Sequence, residues 1–228
     1  MVRRGSANSL SEDVYQRIRN ALFDGSIHPG DRLQPAVLSK EYNASTTVVR
    51  EALAVLAGER LITSRAGQGY YVPEIEPDLL RDITVVRCHT ESLAIRWAME
   101  RGGIEWESRV IAAHHRLTRA PRRLPDGHPN PEWSRLHTAF HTEVIAGSGI
   151  PVLIDMCEQL SSATEIYRVW SARFTDWSGR DVEGEHAGIL EAVLEGDADL
   201  TIARLTAHYE ATANLIIDNW PADEVAAS

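Results

Sequence analysis

The chain is 228 residues long, 43% hydrophobic and 25% charged, with a formal net charge of −10. That length suffices for a small head and a larger second domain, while the acidic balance excludes a uniformly basic nucleic-acid binder. Two cysteines, Cys88 and Cys157, do not make a disulfide framework and read as buried thiols of a reducing cytosol. With no apolar run of about 18 residues and no signal peptide, the chain is expected to be cytoplasmic and to have no membrane partner.

The charge is unevenly spread. Residues 1–76 hold nine Lys+Arg and nine Asp+Glu, residues 77–228 fourteen and twenty-four, so the whole excess lies in the C-terminal part. Any nucleic-acid contact must therefore rest on arginines gathered on one face of the first part, with the acidic part held away from phosphates. Arg3 and Arg4 could add nonspecific affinity from an N-terminal arm.

In chain order, Ser11 to Phe23 predicts a helix, because Val14, Ile18 and Leu22 recur every four residues. Gly25, Pro29 and Gly30 then break the chain. A short helix over Pro35 to Tyr42 has proline at its first position, and after Asn43-Ala44 a further helix starts with Ser45 as N-cap. This is helix-turn-helix spacing. In the second of the two helices Val49, Leu53 and Leu56 form the inner stripe, which turns Thr46, Thr47, Arg50 and Glu51 outward near the end that enters a major groove. Arg50 can reach guanine edges or phosphate, Thr46 and Thr47 phosphates or thymine methyls, and Glu51 can orient Arg50. Leu61 to Ser64 and Tyr70 to Val72 read as two short strands around a tip of Arg65, Ala66, Gly67, Gln68 and Gly69. Such a wing lies on the backbone or in the minor groove, where Arg65 and the glycines Gly67 and Gly69 would meet DNA.

The runs Gly25-Ser26-Ile27-His28-Pro29-Gly30-Asp31-Arg32-Leu33, Val49-Arg50-Glu51-Ala52-Leu53 and Gly67-Gln68-Gly69-Tyr70-Tyr71-Val72 resemble the winged helix of GntR-family transcriptional regulators over about 60 residues. The resemblance implies a double-stranded DNA operator as partner. Where FadR-like members carry arginines, this chain has Val37 and Thr46, so of their three DNA-contacting arginines Arg50 alone is in place and the operator sequence does not carry over.

Residues 1–72 thus read as the head, 73–77 as a short stiff linker, 78–220 as an all-helical domain and 221–228 as a tail. Helices are expected over 78–101, 105–119, 131–147, 150–172, 180–195 and 198–219, separated by Gly102-Gly103, by the proline-rich stretch 120–131, by Gly147 to Pro151, by Ser178-Gly179 and by Gly196-Asp197. The fold class is mainly α: a winged helix-turn-helix followed by a six-helix bundle that can enclose a pocket.

His137 and His141 are four apart and share one helix face, so both can reach a single ion. His186 and His208 lie in later helices, and neutral imidazole is a common ligand for Zn, Ni, Fe or Cu. By spacing alone such a pair is more often incidental than a metal site. This part resembles the FCD ligand-binding domain of FadR-like regulators, a six-helix bundle that in many members holds a metal with an Asp and three His. The resemblance carries the ligand role to His141, His186 and His208, and puts His137 where the Asp would be. An all-His set favours Zn²⁺ or Ni²⁺. The same pattern, with Trp106-Glu107-Ser108-Arg109 and the residues after it, is similar to the carbon-starvation, glutarate-responsive branch of the family.

Four protein ligands leave a divalent ion room for a carboxylate whose far end could meet an arginine, and Arg87 and Arg168 are the candidates for that clamp. Bridging ion and arginine would draw the helices over 78–101, 131–147 and 150–172 together. His89, His114, His115 and His128 read as surface or loop residues. The expected function is a metabolite-responsive regulator, a repressor acting as a homodimer on a pseudo-palindromic operator and released by a small dicarboxylate with glutarate as first guess. The alternatives are a metal-dependent enzyme acting on a small organic acid, and a regulator whose metal is structural. An enzyme is disfavoured: Thr138 stands where a zinc-protease helix needs its Glu, and no nucleophile elbow, P-loop or dinucleotide fingerprint is present.

Overall fold

The computed structural model describes residues 4–59, 61–74, 76–125, 127, 129–171, 175 and 179–220, with side chains from residue 10 onward. The Arg3 and Arg4 side chains, Ile75 of the linker, His128 and the tail 221–228 lie outside the described residues. The chain divides into two compact units, residues 1–76 and 77–227.

In the first unit, α1 (Arg4–Asp24) packs on α3 (Thr46–Gly58), with α2 (Pro35–Glu41) against α3. Helix α1 starts seven residues before Ser11. Its apolar period begins only at Val14, so the pattern could not mark the first turns. Val14, Ile18, Leu22, Val49, Leu53 and Leu56 are all fully buried, which is what their spacing demands of two facing stripes. Two polar ties hold the helices in register: the Tyr15 hydroxyl donates to Glu59 at 2.9 Å, and Arg17 lies over the Tyr42 ring at 4.5 Å. Asn43, with φ of 50°, makes the turn between α2 and α3. Ser45 caps α3 by accepting from the Val48 amide.

The wing differs from expectation in two ways. Its strands are β2 (Thr63–Arg65) and β3 (Gly69–Tyr71), so Arg65 belongs to a strand and not to the tip. Leu61 and Ile62 precede the strand as buried core residues, and the pairing of Arg65 with Gly69 leaves three residues for the turn. Gly67 and Gly69, with φ of 72° and 105°, hold backbone that a side chain would strain. In addition β1 (Arg32–Leu33) pairs antiparallel with β3, giving the order β1-β3-β2. Two residues are too short a run to show a strand period.

The second unit is an all-α bundle of six helices among the described residues: α4 (Pro77–Arg101), α5 (Gly103–Arg119), α6 (Pro131–Ala146), α7 (Pro151–Ser171), α8 (Val182–Leu194) and α9 (Ala198–Asp218). Asn130, Asp181 and Asp197 cap α6, α8 and α9 through their side chains. Central α4 packs on α7 and α9, α5 on α6, and α8 on α9. Trp106 of α5 is nearly fully buried, and a Cβ at Gly147 would come within 2.7 Å of its indole. That glycine therefore keeps the end of α6 close to α5. Cys88 and Cys157 are free and buried, and burial raises their thiol pKa values to about 11 and about 12, which suits inert core positions.

Candidate DNA-binding face and histidine centre

In the head, Thr46, Thr47, Arg50 and Glu51 are all exposed on the first turns of α3. Capping by Ser45 fixes where that helix begins, so these side chains share the solvent side opposite Val49 and Leu53. Glu51 is the next residue to Arg50 and therefore does not face it on the helix. On the wing, the register sets Arg32 beside Tyr71 and Tyr71 beside Thr63, with Arg65 two residues beyond Thr63. These four share one sheet face. Arg65 lies over the Tyr71 ring at 4.7 Å and Arg32 at 5.8 Å, while Arg32 also donates to the Gln68 carbonyl at 2.8 Å. Sequence reasoning missed Arg32. The signal exists only once β1 is known to pair with β3.

In the bundle, His137 and His141 of α6, His186 of α8 and His208 of α9 converge, each offering a ring nitrogen within 4.8 Å of the others. All four are buried. The Nε2 atoms of His137 and His141 face each other at 3.2 Å, close to the roughly 3.3 Å that two imidazole nitrogens adopt around one tetrahedral zinc. The Nε2 of His186 is buried without a partner, an arrangement that costs free energy unless something fills it. Both observations fit a divalent cation with these four residues as its ligands. Burial, reinforced by the neighbouring imidazoles, pushes His137 and His141 well below their ordinary range and His186 to about 2. The cluster is therefore neutral, as ligation requires.

Two relays orient the rings. The Nδ1–H of His141 donates to the Tyr209 hydroxyl at 3.0 Å, and that hydroxyl donates to Glu91 at 2.7 Å. Glu91 is paired with Arg87 at 2.6 Å, both almost fully buried. Arg87 further donates to Thr164 and Ser161 and lies 3.8 Å over the Tyr209 ring. On the other side the Nδ1–H of His208 donates to Glu185 at 2.6 Å, and the Nε and Nη2 of Arg180 donate to the two Glu185 oxygens. Burial works to raise the Glu185 carboxyl, but the bonds from His208 and Arg180 hold it down at about 2. Each relay assigns the proton to Nδ1 and leaves Nε2 as a lone-pair donor. Outer partners of this kind set both ring orientation and ligand basicity.

Beside His137 and His208 lies a cavity of about 40 Å³, lined by Arg87, Arg122, Arg168 and Arg180 with Glu165 as its acidic member. A second cavity, of about 160 Å³, opens towards His186. The two expected clamp residues do line the first. Arg87 is largely engaged in the Glu91 relay, and Arg168 is paired with Glu165 and donates to Ser134. Arg122 and Arg180, both in connecting segments, were missed because nothing in helical periodicity singles out a loop arginine. His89 and His115 are exposed as expected. His114 is not: it is half-buried, edge-on to Phe140 at 5.4 Å, with its Nε2 buried and unpartnered. It falls on the inner side of α5, beside Val110 and Ala113, where the helical turn carries it.

A winged helix-turn-helix followed by an all-α ligand-domain bundle defines a transcriptional regulator rather than an enzyme. Residues 10–72 match the family described as bacterial regulatory proteins, gntR family, and residues 82–211 match the FCD domain. The chain belongs to the GntR family of regulators and carries an FCD domain. It is 33% identical over 195 residues to the transcriptional repressor GlaR of Escherichia coli K12, covering 82% of this chain and 86% of that protein. Against the regulator BphR of Paraburkholderia xenovorans it is 28% identical over 213 residues, covering 92% and 86%. Among solved structures it is similar to E. coli McbR/YncC, with a TM-score of 0.76 at 21% identity over 97% of this chain and all of that one. A regulator from Rhodococcus sp. RHA1 gives a TM-score of 0.70 at 16% identity over 93% of this chain. No described helix is long and apolar enough to cross a membrane.

Proposed function

We propose that this protein is a cytoplasmic repressor that binds its operator as a homodimer and releases it when a small dicarboxylate binds at a metal in the bundle. The observation that carries the reading is the convergence of four buried histidines from three helices beside a cavity lined with four arginines. A divalent ion such as Zn²⁺ or Ni²⁺ held by His137, His141, His186 and His208 would supply a Lewis-acidic anchor for a carboxylate. Arg87 keeps His141 aligned through Glu91 and Tyr209, while Arg168 presents positive charge to the cavity. Each is paired with a glutamate, Arg87 with Glu91 and Arg168 with Glu165, so an incoming carboxylate would share or displace that partner. The name of the relative GlaR as a repressor supports repression here.

Dimerisation is supported by an apolar stripe on α4. Leu79, Val86 and Leu93 stand exposed at seven-residue spacing, and the neighbouring α7 exposes Val152 and Met156. A second copy of the chain would cover such a face and bring two heads to a two-fold operator.

On DNA, Arg50 is the base-reading residue, with Thr46 and Thr47 on backbone or thymine methyls. Arg65, Arg32 and the glycine turn at Gly67 and Gly69 would lie against phosphates. Arg50→Ala should weaken operator binding by about 1 to 3 kcal/mol with the fold intact. A gel-shift affinity equal to wild type would remove Arg50 from the interface.

The effector reading is tested by operator release. An effector changes DNA affinity only through different affinities for the DNA-competent and DNA-incompetent forms. Glutarate should lower operator affinity of the metal-loaded wild type. His141→Ala should still bind operator but should not respond. Equal release from the variant at the same glutarate concentration would make the metal structural only.

A further inference from the structure

The cavity beside His137 and His208 measures about 40 Å³. It holds on the order of one to three waters, too little for a five-carbon diacid, so a side chain that lines it has to yield when an effector enters. Three glutamates are paired with arginines of this cavity, and they differ in what else they hold. Glu91, on Arg87, also accepts from the Tyr209 hydroxyl that orients His141. Glu185, on Arg180, also accepts from the Nδ1–H of His208. Moving either carboxylate would release a histidine of the cluster. Glu165 has no such duty: among the described residues its carboxylate is bonded to Arg168 alone. It is also the one glutamate of the three that lines the cavity.

Glu165 sits on α7 one turn before Arg168, and the Nε and Nη2 of Arg168 donate to its two oxygens, the first at 2.6 Å. The Glu165 side chain is 10% exposed, so rotation about its own bonds can take the carboxylate to water. Arg168 is held in place without it. Its Nη2 donates to Ser134 of α6 at 2.6 Å, and its guanidinium lies 5.1 Å over the Trp133 ring. A guanidinium kept there by Ser134 and Trp133 offers the same planar fork to whichever carboxylate arrives. Were Glu165 to stay, two like charges would crowd that fork in a site largely closed to water, and such crowding disfavours the charged pair.

We propose that in the free protein Glu165 occupies the position on Arg168 that the far carboxylate of a dianionic effector takes, and that the effector binds by displacing it. This rests on the effector reading above and fixes which of its two arginines exchanges partners: Arg168 does, while Arg87 stays with Glu91. One carboxylate replaces another on the same guanidinium, so the Arg168 charge stays paired, and the space that Glu165 vacates admits the methylene chain of the diacid. Glu165 thereby sets how much effector is needed, because binding to the fraction of molecules with Arg168 vacant lowers the apparent affinity by that fraction. A monoacid anchored at the histidines does not reach for Arg168 and escapes the competition.

The test is titration calorimetry on the zinc-loaded full-length protein with glutarate and, as monoacid, pentanoate. Glu165→Gln keeps an oxygen that can accept from Arg168 but removes the charge, so it should bind glutarate roughly tenfold more tightly than wild type, the scale of one charge-assisted pair. Its gain for pentanoate should be much smaller, and it should leave operator DNA at a correspondingly lower glutarate concentration in a gel shift. Arg168→Gln should weaken glutarate binding. A glutarate affinity unchanged or lowered in Glu165→Gln overturns the displacement but leaves a metal-anchored carboxylate effector standing. An equal gain for both acids also overturns it, since that is general repulsion and not competition for Arg168. If neither wild type nor Glu165→Gln binds either acid, the effector class falls and the displacement with it. Should Glu165→Gln fail to fold, a crystal structure of wild type with zinc and glutarate decides: Glu165 turned away from Arg168 is expected, and Glu165 still paired with it overturns the proposal.

Discussion

Replacing His141 or His208 with alanine should strip most of the divalent ion from the protein and lower its melting temperature. As purified, the wild type should carry about one ion per chain. Each of the two residues would be a ligand in a set drawn from three helices, α6, α8 and α9, so the ion would tie together elements that otherwise meet through side-chain packing. A ligand held at a thousandfold above its dissociation constant stabilises the native state by about 4 kcal/mol. For a protein of this size that corresponds to a melting temperature lower by roughly 8 to 16 °C when the ion is lost. His208→Ala should also leave Glu185 without its imidazole partner, whereas His141→Ala frees the Tyr209 hydroxyl of one bond. Elemental analysis is the check. Wild type without metal, in protein never exposed to chelators or metal-binding tags, would dispose of the centre, and a His141→Ala variant still holding one ion would take that residue out of it.

The second large effect is expected at the buried pair Arg87 and Glu91. Burial works against the Arg87 charge, but Glu91 and Tyr209 hold its pKa above the ordinary arginine value. Glu91→Ala removes the counter-charge and leaves a guanidinium inside the bundle, where it can neither ionise cheaply nor be hydrated. Breaking a pair of this kind by removing one partner costs about 3 to 5 kcal/mol. The double variant Arg87→Met with Glu91→Leu should be much milder than Glu91→Ala, because it leaves no unpaired charge. Guanidinium unfolding of the three proteins measures this directly. If Glu91→Ala shifts stability by less than about 1 kcal/mol, the pair is solvated in solution and not sealed. A further consequence concerns the metal. With Glu91 gone the Tyr209 hydroxyl can donate back to His141, so the His141 ring loses its preferred tautomer, and metal affinity should fall about 10- to 100-fold.

What the sequence determined by itself was the order and kind of the elements and where the candidate histidines fall within them. The head's apolar period at Val14, Ile18 and Leu22, the Ser45 cap and the paired glycines of the wing all act within one turn or one hairpin, so a linear reading reaches them. The same is true of the six bundle helices, whose ends are set by Gly, Pro and capping Asp or Asn. The spacing of His137 and His141 put two imidazoles on one face of α6, and the family resemblance added His186 and His208. Tertiary structure decided the rest. That β1 closes the wing sheet depends on Arg32 meeting Tyr71 across 39 positions of chain, and no period records such a pairing. That Arg87 is bound into the Glu91 and Tyr209 relay depends on α4 meeting α9. Arg122 and Arg180 line the cavity although neither lies in a helix. Helical periodicity specifies which side of a helix is buried. Which arginine stands opposite a given histidine is set by packing between elements far apart in the chain, and only the assembled bundle decides it.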